Sequence, residues 1–355
     1  MTVSSTRAGL SKTTALRGVD GARVTFRRTL FVCMLLVIAL LVVVVLMSLL
    51  GSERLPAKAS GCAVLSFGGY SCGLTSDQSA ILFEIRLPRI LLAAAVGASL
   101  AAAGASYQAL LRNPLAEPYL LGISNGAAVG TMLALLFFGA YEWSRPLMAF
   151  SGALVATFVV YRLALGRAGA TPERLILAGV IVTTFLSSAI VFVTTLMDAT
   201  RIRSFTFWLL GDLSGTTRSL LTVTILVAVV GTTILAANAR SLNLLMLGER
   251  DAFDLGVEVS RVRLVVFIAA SFLVGSSVAS SGSVGYVGLV VPHLVRLSLG
   301  SDNRMTIPAA GICGAIFVVV ADTIARTAIA PRELPVGAIT ALIGAPLFIY
   351  LLRRG

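Results

Sequence analysis

The sequence is poor in charged residues, and this excludes most soluble folds. Only 12% of its 355 residues are Asp, Glu, Lys or Arg, while 57% are hydrophobic. An ordinary soluble domain has about 25% charged and about 45–50% apolar residues. With a mean hydropathy of +0.95, the chain is instead suited to a lipid environment.

Lysine and histidine are almost missing, and this excludes two kinds of chemistry. The two lysines, Lys12 and Lys58, lie outside any G-x-x-x-x-G-K-[ST] loop that could cradle phosphate, so we do not expect this chain to be an ATPase. The single histidine, His293, has no carboxylate or thiol neighbour in sequence and makes a poor metal site. A structural role at a helix end is expected for it, with a ligand or gating role as the alternative. We predict no metal, cofactor or catalytic residue in this chain.

Cysteine is also scarce, and its four positions show no metal-binding spacing. Cys33 and Cys313 fall within apolar runs, where they are expected to be small packing residues. Cys62 and Cys72 share the first loop predicted to face outward, where an oxidising compartment would permit a disulfide. A bridge between them and two free thiols both remain open.

Long uncharged runs make up most of the chain. The first, 30–50, has 21 residues without a charge, enough to cross a hydrocarbon core of about 30 Å. It is longer than the signal-peptide core of about 7–15 residues, so we expect a retained span. Nine further runs cover 88–111, 119–140, 146–165, 175–197, 219–237, 262–280, 286–299, 306–325 and 335–352. Because none alternates with period two, the sequence predicts an all-α polytopic membrane protein of about ten transmembrane helices.

The basic residues follow the positive-inside pattern. With the N-terminus inside and ten spans, the cytoplasmic segments hold 18 Lys and Arg and the opposite face holds 10. We therefore predict both termini in the cytoplasm of a bacterial or archaeal cell, a basic tail over 1–29 that touches lipid headgroups, and one transmembrane domain over 30–355. This distribution explains the net charge of +12 without a nucleic-acid partner.

Two parts of the chain resemble each other. VGASLAAAG at 96–104 matches VGSSVASSG at 274–282, an offset of 178, and the same offset carries Pro114 onto Pro292. The copies belong to the second and seventh predicted spans, so an odd number of crossings separates them. The pattern indicates an inverted-topology repeat of the kind found in transporters.

One stretch breaks the apolar pattern. RNPLAEPYLLGISNGAAVG, over 112–130, joins the second predicted span to the third at the cytoplasmic face. Pro114 and Pro118 prevent a continuous helix. Gly122, Gly126 and Gly130 recur every four residues and would let a neighbouring helix approach closely. Asn113, Pro114, Pro118, Gly122 and Gly126 form the predicted helix-break motif. A plain loop would also explain it.

Several long motifs resemble the iron-chelate and cobalamin permeases of binding-protein-dependent ABC (ATP-binding cassette) importers, the FecCD/BtuC-type family. They are the stretch above with its preceding span, LLMLGERDAFDLGV, GYVGLVVPHLVRL and ADTIARTAIAPRELPVGAITALIGAPLFIYLL. They occur in the family's order and cover about 80–355. The resemblance implies a type II ABC importer permease fold that works as a homodimer. It also implies two separate subunits that bind ATP and Mg²⁺, and a periplasmic or lipid-anchored substrate-binding protein.

The resemblance also places surfaces for these partners. Arg86, Arg89 and Arg326 would receive acidic residues on the lobes of the binding protein, since a guanidinium can grip a carboxylate with two bonds. Arginines snorkelling at a lipid boundary are the alternative, and Arg326 also has Asp322 one turn earlier.

Two further surfaces are implied on the cytoplasmic side. The segment 243–263 would couple to the ATPase, and a solvated loop is the alternative. Its predicted coupling residues are Leu247, Gly248, Glu249, Arg250, Asp251, Asp254, Leu255 and Gly256. Thr171, Pro172 and Glu173 occupy the place of the family's cytoplasmic gate, although Pro and Glu depart from the small hydroxyl residues expected there.

The sequence thus predicts a permease that moves a metal chelate across the inner membrane with ATP hydrolysed by another subunit. A ferric siderophore is the first expectation for the cargo, with haem and cobalamin as alternatives. An ion-coupled secondary transporter is the rival, but it would need buried carboxylates for the ion, and Asp198, Asp212 and Asp322 lie near span ends.

Overall fold

The fold is known from a computed structural model that describes residues 25–51, 53, 55–66, 72–138, 141, 143–166 and 169–354. Most of the predicted basic tail, residues 1–24, lies outside the described residues. The first helix begins at Phe26 rather than at residue 30, because the Thr25 hydroxyl caps it by accepting the backbone N–H of Arg28 at 3.3 Å.

Almost all regular structure is helical. The first half contains α1 (Phe26–Leu49), α2 (Ala57–Leu65), α3 (Ser76–Ala80), α4 (Leu87–Leu110), α5 (Ile123–Phe137), α6 (Ser144–Ala164) and α7 (Pro172–Thr194). The second half contains α8 (Ala199–Leu209), α9 (Arg218–Ala237), α10 (Ala239–Leu247), α11 (Glu249–Asp254), α12 (Val259–Ser281), α13 (Val287–Leu299), α14 (Asn303–Thr327) and α15 (Val336–Arg354). A π-helical turn (Ile81–Arg86) joins α3 to α4, and a 3-10 turn (Pro118–Leu121) precedes α5. Two short strands, β1 (Leu165–Gly166) and β2 (Gly169–Ala170), pair antiparallel.

Each predicted span corresponds to one apolar helix. Seven helices in the described part of the chain are long and apolar enough to cross a membrane: α1, the continuous run α3–α4, α6, α7, α9, α12 and α14. The other three spans correspond to the shorter helices α5, α13 and α15. The span predicted over 119–140 is therefore too long. With 15 residues, α5 rises only about 22 Å.

The helix starts are capped by short polar side chains. Thr25, Thr75, Asp198, Thr217 and Asp302 each accept a backbone N–H from the first turn of α1, α3, α8, α9 and α14 respectively. Such caps satisfy donors that have no partner within the helix. These caps determine the residue at which each helix begins, even where the apolar run in the sequence begins at a different residue.

The centre of the bundle is α4, whose Gly- and Ala-rich sequence lets other helices approach closely. Its most apolar stretch is 83% buried, whereas that of α1 has no buried residue and lies at the periphery. A Cβ atom added at Gly97 would overlap the carbonyl oxygen of Gly314 in α14, so these two backbones touch. Since Arg89 also meets Asp322, α4 and α14 run antiparallel.

The two copies of the internal repeat lie on α4 and α12, which are antiparallel neighbours. Tyr107, near the end of α4, bonds to the Ser271 hydroxyl at 2.6 Å, at the middle of α12. Gly97 and its repeat equivalent Gly275 each face another helix. Gly97 faces α14, and Gly275 faces Ala153 of α6. Each copy is also followed by a break and a short helix, α5 or α13. These features agree with an inverted repeat.

Candidate functional site

The helix-break motif forms a loop that leaves the bundle and returns into it. Arg112 adopts φ +49°, and the Asn113 side chain accepts the backbone N–H of Leu115 at 2.9 Å, which turns the chain after α4. Pro114 is exposed, whereas Pro118 is buried at the start of the 3-10 turn. The predicted position of this stretch at the bundle's end therefore holds for its first part only.

The short helices α5 and α13 both begin inside the bundle. A Cβ added at Gly288, the second residue of α13, would lie 2.9 Å from the Leu100 carbonyl oxygen and 2.8 Å from Pro118 Cδ. Leu100 precedes the end of α4 by ten residues, or about 15 Å along the helix. The loop before α5 and the loop before α13 thus meet beside the middle of α4.

Single polar side chains fasten these two breaks to each other. The Tyr119 hydroxyl accepts the N–H of Val284 at 3.0 Å and donates to its carbonyl oxygen at 3.0 Å, so it takes the place of a backbone partner. The Glu117 carboxylate accepts the N–H of Tyr286, the residue that caps α13, at 3.2 Å. A carboxylate at a helix N-terminus also offsets the positive end of the helix dipole.

The glycines of the motif have two different roles. Gly122 adopts φ +76°, a left-handed conformation that ends the 3-10 turn and starts α5. A Cβ added at Gly126 would overlap the Gly152 carbonyl oxygen of α6. Gly130 packs in the same way against Met148, so α5 and α6 form a close antiparallel pair.

The three arginines predicted for docking lie together at one end of the bundle, called here the arginine end, where α1 and α14 finish and α4 begins. Arg86, Arg89 and Arg326 are only 4%, 7% and 6% exposed. Arg86 donates to the carbonyl oxygens of Ser48 and Glu53, at 2.9 Å each. It therefore ties the end of α1 to the start of α4.

The other two arginines share a buried carboxylate. Arg89 Nε donates to Asp322 Oδ1 at 3.0 Å, and its Nη1 donates to Glu333 Oε2 at 2.7 Å. Arg326 Nε lies 3.1 Å from Asp322 Oδ2, a charge contact that is not aligned as a hydrogen bond. Arg86 and Arg89 thus point to different internal partners, and neither guanidinium is free. Docking itself stays a prediction.

The predicted coupling segment lies at the opposite end and folds as two short helices, α10 and α11. Gly248 separates them with φ +147°, and Gly256 follows α11 with φ +83°. Asp302 at the start of α14 holds α10 by accepting from the Asn243 amide at 2.7 Å. Glu249 pairs with Arg263 of α12 and so holds α11.

Apolar side chains of the coupling segment project into solvent. Leu247, Phe253 and Leu255 are 68%, 71% and 61% exposed. Polar and charged side chains surround an open cavity of about 320 Å³ beside them: Glu249, Arg250, Asp254, Ser260 and Arg263. An exposed aromatic group next to a charged hollow suits binding to another protein.

The predicted gate residues start α7. Thr171 is the N-cap and Pro172 the first helical residue, a place where proline is favoured because its missing N–H would have no partner. They follow the hairpin of β1 and β2, which the sequence did not predict. Nothing in this arrangement tests a gating role for Thr171, Pro172 and Glu173.

The loop between α1 and α4 carries a disulfide. Cys62 and Cys72 are bonded, and their Cα atoms are 6.0 Å apart. Leu55, Ala63 and Leu82 form a small apolar cluster beneath it. The free cysteines Cys33 and Cys313 are half-buried in α1 and α14.

Sequence reasoning missed the partners of Arg89. The sequence indicated Arg326 as the one arginine partner of Asp322, and it indicated no partner for Glu333. An acidic residue within an apolar span was nevertheless a usable signal, because a buried carboxylate requires a cationic partner. The nearest basic residues in space could not be read from the sequence, since Arg89 is 233 residues away.

Known proteins share both the sequence and the fold. The sequence profile of the FecCD transport family matches residues 32–354. The chain is 43% identical over 281 residues to the cobalamin import system permease protein BtuC of Halobacterium salinarum, covering 79% of this chain and 75% of that protein. It is 39% identical over 331 residues to the hemin transport system permease protein HmuU of Yersinia pestis, covering 90% and 96%.

The structural comparison agrees. A solved structure described as an inward-facing conformation of an ABC transporter of metal-chelate type has a TM-score of 0.80 at 30% identity, covering 92% of this chain and 99% of that one. PsaBC from Streptococcus pneumoniae, at 16% identity and a TM-score of 0.55, supports the fold alone.

Proposed function

The chain belongs to the FecCD transport family, as its motifs predicted, and on this basis we propose that it is the membrane permease subunit of a binding-protein-dependent ABC importer. Its task would be to carry a metal chelate inward across the cytoplasmic membrane. The observation that carries the proposal is the match over nearly the whole chain to import permeases, together with the shared fold.

The working unit would be a homodimer with two ATPase subunits. The sequence contains no G-x-x-x-x-G-K-[ST] loop, so ATP and Mg²⁺ would be bound by those partners. Phe253 and Leu255 of the coupling segment are exposed and would insert into a groove on an ATPase subunit. Movement of α10 and α11 would then alternate which end of the dimer pathway is open.

The arginine end would face outward and receive the substrate-binding protein. This orientation would place the basic tail and both chain ends in the cytoplasm, in agreement with the positive-inside distribution of the 28 Lys and Arg. Arg89 would be the docking cation within closest reach, because its partner Glu333 lies at the surface with 43% of its side chain exposed. Arg86 and Arg326 would support the site from within.

A ferric siderophore remains our first expectation for the cargo. Cobalamin is the second candidate, favoured by the relatives named for cobalamin import, and haem is the third. The rival class, an ion-coupled transporter, gains no support from Asp322, because two arginines already neutralise this buried carboxylate.

The test is uptake into vesicles that contain the purified chain together with the ATPase and the binding protein encoded by its neighbouring genes. Radiolabelled ferric siderophore, cobalamin and haemin would be offered outside, with ATP or a non-hydrolysable analogue inside. We expect accumulation of one chelate only with ATP and with the binding protein present. Uptake driven by an ion gradient without ATP, or ATP hydrolysis by this chain alone, would overturn the proposal.

A further inference from the structure

The only two tryptophans of the sequence line one cavity at the arginine end. Trp143 precedes α6 and Trp208 lies in the last turn of α8. The cavity is also lined by Thr217, the N-cap of α9, by Leu220 of α9 and by the last turn of α12. The cavity measures about 130 Å³. Sites for drug-sized ligands are usually about 300–1,000 Å³, so this cavity is too small for a metal chelate.

Two opposite charges lie on the rim of this cavity. Arg145 and Asp212 both line it and are both exposed, and among the described residues neither forms an ion pair. The Asp212 carboxylate accepts the N–H of Ser214 at 2.7 Å and its hydroxyl at 2.9 Å, which leaves further acceptor positions open. A ligand with one anionic and one cationic group would match this arrangement.

A separate apolar groove lies further along the same two helices, α9 and α12. Leu226, Val230 and Ile234 line it on α9, and Ile268 and Phe272 line it on α12; its volume is about 480 Å³. The two helices are antiparallel here, since Leu220 lies opposite the end of α12 and Leu226 lies opposite an earlier turn.

The combined length fits one layer of lipid. From Leu220 at the cavity to Ile234 at the foot of the groove is 14 residues, or about 21 Å along α9. Half of a hydrocarbon core is about 15 Å, which leaves the remainder for the headgroup region. A cavity with two charged groups at the helix ends and an apolar groove further along the same helices therefore match the headgroup and the acyl chain of a single phospholipid.

We propose that the seam between α9 and α12 binds one phospholipid with a zwitterionic, ammonium-bearing headgroup. The ammonium would lie between the tryptophan rings and the Asp212 carboxylate, since indole faces attract cations best among aromatic rings. The phosphate would meet Arg145, whose planar guanidinium suits phosphate oxygens. One acyl chain would fill the groove. The inference does not depend on the cargo.

Tryptophan fluorescence of the full chain reports on this cavity directly, because there are no other tryptophans. The chain would be reconstituted in phosphatidylglycerol nanodiscs with increasing phosphatidylcholine that carries a nitroxide on its choline nitrogen. We expect quenching at a low fraction of the probe, relieved by unlabelled phosphatidylethanolamine. Arg145→Gln and Asp212→Asn should each raise the probe fraction for half-quenching by about tenfold.

Matched variants separate this site from general effects. Arg332→Gln removes another exposed arginine without a described ion pair, outside the cavity, and should leave quenching unchanged. For the groove, Val230→Phe should reduce the lipid retained in native mass spectrometry, while Val229→Phe should not, because Val229 is equally exposed but does not line it.

Two results would overturn the proposal. Equal quenching in Arg145→Gln, Asp212→Asn and Arg332→Gln would mean that the tryptophans only mark the membrane interface. A change in oligomeric state with Val230→Phe, without loss of lipid, would mean that a second copy of this chain covers the groove.

Discussion

Asp322 is a fully buried carboxylate shared by two arginines, and its removal should be costly. Asp322→Asn would remove the carboxylate that lies between Arg89 and Arg326, whose side chains are less than 10% exposed. Breaking a buried ion pair in this way costs about 3–5 kcal/mol of folding free energy. The expected result is a large loss of thermal stability, measured by size-exclusion chromatography of heated detergent samples.

The control for this prediction is Glu84→Gln at the same end. Glu84 pairs with Arg218 at 3.5 Å, and both side chains are mostly exposed, so the pair is worth about 1 kcal/mol or less. If the two variants lost the same stability, the buried cluster would contribute no more than an ordinary surface pair.

Gly97 gives a second prediction for a single residue. A methyl group there would overlap the Gly314 carbonyl oxygen, so α4 and α14 would have to separate. Gly97→Ala should therefore destabilise the protein by about 1–3 kcal/mol, the usual cost of overpacking. Gly61→Ala in α2 has room for its methyl group and should be neutral or slightly stabilising, as is normal for a helix interior. Equal effects in the same thermal assay would show that the α4–α14 contact adapts freely.

Among the helical elements, α11 gives a test of energy coupling. Phe253→Ser would remove the aromatic side chain that projects from this helix and should lower crosslinking of segment 243–263 to the ATPase subunit by at least several-fold. Phe137→Ser at the end of α5 is the matched control, since both phenylalanines are 71% exposed. Unchanged crosslinking in Phe253→Ser would mean that α11 is a solvated loop element with no part in coupling.

The loop that contains α2 gives a test with thiol reagents. In a background where Cys33 and Cys313 are replaced by Ser, a maleimide should label Cys62 and Cys72 only after reduction, because the structure bonds them. Mass shifts of the intact protein would count the labelled thiols. Two labels without reductant would show that the pair is free in the membrane.

The sequence predicted these elements unevenly, and the reason is physical. Apolar runs located every span, because the cost of exposing polar backbone to lipid makes each run a helix. Their starting depth was not predictable. Pro118 and Gly122 signalled a break, but only the contact of Gly288 with Pro118 and Leu100 shows that α5 and α13 begin within the bundle. The sequence predicted one coupling segment over 243–263, but it did not predict the division into α10 and α11 at Gly248.

For the molecule as a whole, family motifs predicted the partner surfaces but not how they are built. Arg86 and Arg89 are three residues apart, which would place them on a shared face of an isolated helix. In the assembled bundle Arg86 instead contacts the end of α1, and Arg89 contacts Asp322 of α14. Such pairings depend on which helices are neighbours, and sequence periodicity carries no information about this.

Docking of the binding protein can be tested without disturbing the buried arginines. Reversing Arg86 and Arg89 would break internal bonds, so a loss of affinity would be ambiguous. Glu333→Gln instead neutralises the exposed carboxylate that lies 2.7 Å from Arg89 Nη1. Arg89 Nη1 then becomes available to a carboxylate of the binding protein. Affinity measured by surface plasmon resonance should then rise several-fold, mainly through the association rate at low salt. Glu84→Gln removes the same charge at the same end, away from Arg89, and accounts for the general electrostatic effect. If the two variants change affinity equally, Arg89 has no part in docking and serves only to hold α4 against α14.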